Sequence, residues 1–145
     1  MITNVSLQTV WVNDIDEARE FYIDKLGFVL NTDVTMGDFR WCTVNHPNQP
    51  DLELTLGVPG PPLDAEDAEI VARMLAKGSM SGGGLRTDDC RSTYDELKSK
   101  GVDFIQEPQD RPYGVEAVLR DNSGNWWVLV EPRENSPADL EGQSF

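Results

Sequence analysis

A strand, an Asp, a helix, a glycine and a second strand follow one another twice in this chain. That duplication limits the fold more than any other feature. The first copy runs from a strand over Val5 to Val12, through Asp14 and a helix to Leu26-Gly27, and into a strand over Phe28 to Val34. Asp14 is placed to accept hydrogen bonds from the first free helix amides. Ile15, Ala18, Phe21 or Tyr22, and Leu26 recur with helical spacing and give one apolar face. Gly27 suits the left-handed position after the last turn. The second copy begins about 75 residues later. It runs from a strand over Gly83 to Thr87, through Asp88-Asp89 and a helix to Lys100-Gly101, and into Val102 to Ile105. Two copies are too few for a solenoid, so each must bury its apolar face within a paired architecture.

The segments between complete each module. Phe39 to Val44 and Asp51 to Leu56 read as strands, with Leu52, Leu54 and Leu56 on one face and Glu53 and Thr55 on the other. Gly114 to Arg120 and Trp126 to Val130 form a hairpin around Asp121-Asn122-Ser123-Gly124-Asn125. Glu107 to Pro112 reads as a loop. The expected fold class is α+β, two β-α-β-β-β modules in a single domain over residues 1–131. The first module covers 1–57, a stiff Pro-rich connector and a helix over Asp64 to Lys77 cover 58–81, and the second module covers 82–131. Residues 132–145 are acidic, lack periodicity and read as a mobile tail. Gly78-Ser79-Met80-Ser81-Gly82-Gly83-Gly84 has neither the preceding strand nor the Lys-Ser/Thr ending of a phosphate loop, and reads as a flexible strand entry.

Composition narrows the partners. The net charge of −14 repels phosphate backbones and anionic lipid, which disfavours nucleic acid and membrane surfaces. No apolar run approaches the roughly 20 residues needed to cross a bilayer, and the first residues lack the pattern of a signal peptide, so a cytoplasmic protein is expected. Cys42 and Cys90 match no zinc spacing and read as free thiols. His46, the single histidine, lies in a Pro-flanked loop and reads as a solvated side chain.

Val10, Val12 and Asp14 followed by Phe21-Tyr22 and Leu26-Gly27-Phe28 resemble the opening signature of the vicinal oxygen chelate superfamily. That superfamily includes glyoxalase I, bleomycin-resistance proteins and extradiol dioxygenases. Leu52-Glu53-Leu54 resembles its fourth strand, and Asp88-Asp89 to Gly101-Val102 its second helix unit. Arg120 to Trp126 is similar to its closing Asp-Pro-x-Gly-Asn turn, with Asn122 in place of proline. The resemblance implies modules whose sheets curl around a cleft, commonly in a homodimer. It also implies a divalent ion held by His and Glu side chains. The corresponding positions here are Leu7, Glu53, Gly82 and Val128. Only one of the four is a donor, whereas metal affinity needs several convergent ones. The expectation is therefore no metal and no cofactor.

Strand alternation assigns Leu7, Thr9, Trp11, Glu53, Thr55, Arg86, Trp126, Val128 and Val130 to the cleft side. Tryptophans with a few polar groups suit a flat apolar ligand, or else simply fill the core. Glu53 is the candidate catalytic residue. It either pairs with Arg86 or, if buried without a partner, serves as a general acid or base. Arg40, Trp41 and Arg111 to Gly114 are candidates for the cleft mouth that alternation does not settle. Three readings compete: a metal-free protein that binds an apolar or aromatic small molecule, a lyase, isomerase or dioxygenase of the same superfamily, and a scaffold with a closed cleft.

Overall fold

The structure is a computed structural model that describes residues 1–135 and 137–144. The chain divides into two compact units, Met1–Met80 with Asn122–Asn125, and Ser81–Asp121 with Trp126 onward.

The first unit contains β1 (Leu7–Trp11), α1 (Ile15–Arg19), β2 (Val29–Met36), β3 (Phe39–Asn45), β4 (Glu53–Gly57) and α2 (Ala65–Ala76). Its strands form one sheet in the order β1-β4-β3-β2, with β1 parallel to β4 and the remaining pairs antiparallel. The Asp14 carboxylate accepts from Glu17 N at 2.9 Å, which starts α1 as its sequence implies. The helix does not stay α to Gly27. It widens to a π-helix over Glu20–Lys25, with Leu26 N bonded to Phe21 O at 3.2 Å. The wider turn allows the consecutive aromatics Phe21 and Tyr22 both to be buried. Gly27 then takes φ 80°, and Phe28 N returns to Tyr22 O at 2.9 Å. Val10, Val12, Cys42, Val44, Leu54 and Leu56 form the core with Ala18, Phe21 and Tyr22.

The turn that closes the final hairpin belongs to this unit. Asn125 Nδ2 donates to Trp11 O at 2.8 Å, and Ser123 Oγ both accepts from Asn13 N and donates to Asn13 Oδ1. The Asn-Ser-Gly-Asn turn therefore fastens the exit of β1 through Ser123 and Asn125, both buried and hydrogen-bonded to it.

The second unit repeats the plan with β5 (Ser81–Arg86), α3 (Cys90–Ser99), β6 (Asp103–Arg111), β7 (Gly114–Arg120) and β8 (Trp126–Pro132). The sheet order is β5-β8-β7-β6, again with the first and last strands of the module parallel. Asp89 caps α3 through Ser92 N at 3.0 Å, and Val102 N closes the helix end on Leu97 O at 3.0 Å. The α+β class and the duplicated modules are thus as the sequence implies. Residues 107–111, expected as loop, instead continue β6. The register shifts between Gln106 and Gln109, which accommodates Pro108, unable to donate to the ladder. The segment expected as a tail begins later than its composition suggests, because β8 extends to Pro132 and Arg133 N bonds Tyr113 O at 2.9 Å. Asn135 Nδ2 donates to Pro112 O at 2.9 Å, and Pro137–Leu140 forms a single helical turn, α4. Ser136 and Phe145 of that segment lie outside the described residues.

Candidate small-molecule binding faces

In the first unit, ion pairs identify which sheet face carries the helix. Arg40 donates to Asp33 Oδ1 and Oδ2 at 2.9 Å each and to Asp16 Oδ1 of α1 at 2.8 Å, while Arg19 of α1 reaches Asp33 at 2.6 Å. Hydrogen bonds from the Arg40 guanidinium are the main reason that the Asp33 carboxyl is held below the ordinary carboxylate range. Arg40, Cys42 and Val44 therefore face the helix, and Phe39, Trp41, Thr43 and Asn45 face away. Arg40, a candidate for the mouth by sequence, is instead part of the clamp between helix and sheet. Trp41 lies on the face away from α1.

Register carries that assignment across the sheet. Thr9 pairs with Thr55, Thr55 with Thr43, and Thr43 with Thr32, so a threonine row crosses the helix-free face. Leu7 and Glu53 are partners on one side of the row, and Trp11 and Gly57 on the other. The Trp11 ring lies beside Gly57, where a Cβ would stand in ordinary contact with the indole at 3.6 Å. Leu7, Thr9, Trp11, Glu53 and Thr55 thus share one face, as alternation implied. The same face leaves Val34, Met36 and Phe39 exposed, with Phe39 at 51%. Phe39 and Trp41 approach within 6.3 Å between ring centroids. The sequence signal for these additions was the alternation Phe39-Trp41-Thr43, which became readable only once Arg40 was tied to α1.

Within its own unit the Glu53 carboxylate has a partner that strand alternation did not identify. Thr43 Oγ1 donates to it at 2.8 Å. Thr55 lies directly opposite Thr43 and is buried, and among the described residues its hydroxyl has no hydrogen-bond partner. His46 is not a freely solvated loop residue. Its Nδ1 accepts from Asn48 N at 3.1 Å, and its ring meets Phe28 edge-on at 5.5 Å.

In the second unit, Cys90 at the start of α3 bonds Leu129 O through its thiol and Glu131 through its backbone amide, and Tyr94 of α3 meets Phe104 edge-on. The helix therefore covers the face with Trp127, Leu129 and Phe104. Arg86, Trp126, Val128 and Val130 lie on the opposite face by register, together with Glu116 and Val118. Gln106 Nε2 donates to Glu116 Oε1 at 3.2 Å, and Tyr113 hydrogen-bonds the same carboxylate. Burial, with that bond, pushes the Tyr113 hydroxyl up to about 12. Gln106 and Glu116 are additions that sequence reasoning missed. Cys42 and Cys90 are free, buried thiols whose pKa values are raised by burial.

The four positions that the resemblance assigns to a metal do not suit one. Leu7 lies beside Glu53 but carries no donor, and Val128 carries none on its own sheet. A Cβ at Gly82 would fall 2.2 Å from the buried Trp127 indole, so the ring occupies the space a ligand side chain would need. Among the described residues no group of three His, Cys, Asp or Glu is placed to hold an ion. The donor set does not fit a divalent cation.

Comparison with known proteins agrees with this architecture. The Glyoxalase/Bleomycin resistance protein/Dioxygenase superfamily model matches residues 5–129. An uncharacterized protein, YurT, of Bacillus subtilis (strain 168) is 34% identical over 128 residues, covering 88% of this chain and 98% of its own length. The crystal structure of UcmS2 superposes with a TM-score of 0.83 at 42% identity, covering 90% of this chain and 99% of UcmS2. That of TnmS3, an antibiotic binding protein from Streptomyces sp. CB03234, gives a TM-score of 0.73 at 30% identity, with 91% and 98% covered. The chain belongs to the glyoxalase/bleomycin resistance protein/dioxygenase superfamily.

Proposed function

We propose that this protein binds a neutral, flat, apolar or aromatic small molecule without a metal ion, and that it sequesters or carries that molecule rather than transforming it. The observation that carries this reading is the helix-free face of the first sheet. There Trp11, Trp41, Phe39, Met36 and Val34 lie on one side of the threonine row and Glu53 on the other. Exposed apolar side chains gathered around a few polar groups are the usual makings of a small-molecule site. Trp126, Val128, Val130 and Arg86 share the helix-free face of the second sheet, which is a candidate binding surface by itself in this reading. The net charge of −14 disfavours anionic ligands. TnmS3, at 30% identity, is described as an antibiotic binding protein, which supports the same reading here. Glu53 then acts as a recognition group, and the working form is a cytoplasmic homodimer.

The test is a tryptophan-fluorescence titration with a panel of neutral polycyclic aromatic compounds, in wild type and in Trp41→Ala and Phe39→Ala. Saturable quenching by some members, weakened in both variants, is expected. No saturable response across the panel would refute the reading. Turnover of hemithioacetal or catechol compounds that Glu53→Gln abolishes would replace it with an enzymatic one.

A further inference from the structure

Thr55 presents an unmade bond. It is 7% exposed, its hydroxyl has no partner among the described residues, and it lies on the helix-free face of the first sheet. A buried hydroxyl without a partner is uncommon, because desolvation is not compensated. Its neighbours on that face define what would satisfy it. Thr43, directly opposite, spends its proton on Glu53 Oε1 at 2.8 Å. Glu53, two residues before Thr55 on the same strand, is acceptor-only when ionised and has lone pairs beyond the one that Thr43 uses. The patch therefore combines an unused hydroxyl, which donates or accepts, with a carboxylate that only accepts. A ligand group that accepts from the first and donates to the second completes both.

We propose that Thr55 and Glu53, with Thr43 orienting the carboxylate, form the recognition point for a single hydroxyl group on the aromatic ligand. This rests on the binding function proposed above. The ligand hydroxyl donates to Glu53 and accepts from Thr55. An ether in the same place loses the bond to Glu53, and a carboxylate in the same place meets Glu53 as a like charge. The ligand class is thus a neutral phenol or alcohol on an apolar ring system, discriminated from its ethers and acids by the polar patch and from small alcohols by the aromatic side chains across the threonine row.

The test is calorimetric titration of wild type, Thr55→Val and Thr55→Ser with 2-naphthol, 2-methoxynaphthalene, naphthalene and 2-naphthoate. Wild type is expected to bind 2-naphthol on the order of tenfold more tightly than naphthalene, the worth of a hydrogen bond to a charged acceptor. The ether is expected near naphthalene and the acid weakest. Thr55→Val keeps the volume and removes the hydroxyl, so it is expected to weaken 2-naphthol selectively and leave naphthalene unchanged. Thr55→Ser is expected to retain much of the preference. Equal affinity for 2-naphthol and naphthalene in wild type overturns this inference alone, and so does an equal loss of both in Thr55→Val. Failure of all four probes to bind wild type overturns the binding function and this inference with it. Thermal melting provides a ligand-free readout. Thr55→Val is expected to melt at or above the wild-type temperature, and a fall of several degrees would show the hydroxyl already satisfied and overturn the proposal.

Discussion

Replacing Gly82 with alanine places a Cβ 2.2 Å from both Cε2 and Nε1 of Trp127 and 2.7 Å from its Cδ1. Ordinary contact begins near 3.4 Å, so about 1.2 Å of separation must open between β5 and the indole. The ring has little freedom to move. Trp127 is 4% exposed, and the same indole already lies 3.2 Å from where a Cβ on Gly83 would stand. Overpacking of this kind costs about 1–3 kcal/mol, and a rigid buried ring places Gly82→Ala near the top of that range. For a chain of this size about 3 kcal/mol lowers the melting temperature by roughly 6–12 °C. Guanidinium unfolding followed by tryptophan fluorescence measures the cost directly. A second background, Trp127→Leu, isolates the pair, because the alanine should cost clearly less once the indole is gone. A Gly82→Ala protein within about 0.5 kcal/mol of wild type, a margin typical of surface changes, would refute the reasoning. The prediction bears on function because this is the position where the resemblance would place a metal-binding histidine. Gly82→His should destabilise the second unit rather than install a donor.

Asp33→Asn should destabilise the protein by about 1–3 kcal/mol at neutral pH, because it removes the carboxylate that Arg19 and Arg40 share. The Asp33 pKa is lowered in the fold, so its contribution is present above pH 3.8 and is lost as pH falls through the depressed folded value. The wild-type advantage in urea unfolding should therefore shrink in strong acid, and an advantage unchanged at that pH would contradict the assignment. Of the three tyrosines, Tyr113 should ionise at about 12 in an alkaline absorbance titration. Stability should fall between pH 10 and about 12 as the hydroxyl is driven to ionise, and Tyr113→Phe should remove that component. Asn125→Ala leaves the Trp11 carbonyl without its side-chain donor and should cost about 1–3 kcal/mol by urea unfolding. A neutral result would show that the turn does not fasten β1.

The duplicated scaffold was readable because its signals are local. Asp14, Asp64 and Asp89 each cap a helix through a backbone amide three residues on, and Gly27 and Gly101 both take positive φ at helix ends. Period-two alternation likewise placed Leu7, Thr9, Trp11, Glu53 and Thr55 on one face, and Arg86, Trp126 and Val128 on another. What was not readable depends on pairing between distant strands. The threonine row exists only because β1, β4, β3 and β2 are in that order and register. The same holds for Thr43 as the partner of Glu53. Arg40 looked like a cleft residue because nothing in its own strand reveals that Asp16 and Arg19 of α1 meet the sheet there. Residues 107–111 looked like a loop because Pro108 interrupts them, whereas the edge strand absorbs it as a bulge. The glycine-rich stretch looked flexible, yet Gly82 and Gly83 are small because a tryptophan packs on them.

The central claim is that the helix-free face bearing Trp11, Trp41, Glu53 and Thr55 receives an aromatic ligand without a metal. A crystal structure of the protein with the tightest-binding neutral aromatic compound, grown in the presence of a chelator, tests it most directly. The account predicts the ring system against Trp11 and Trp41, with its polar group within hydrogen-bond distance of Glu53 or Thr55. A ligand seated elsewhere, or binding abolished by the chelator and restored by a divalent ion, would contradict it.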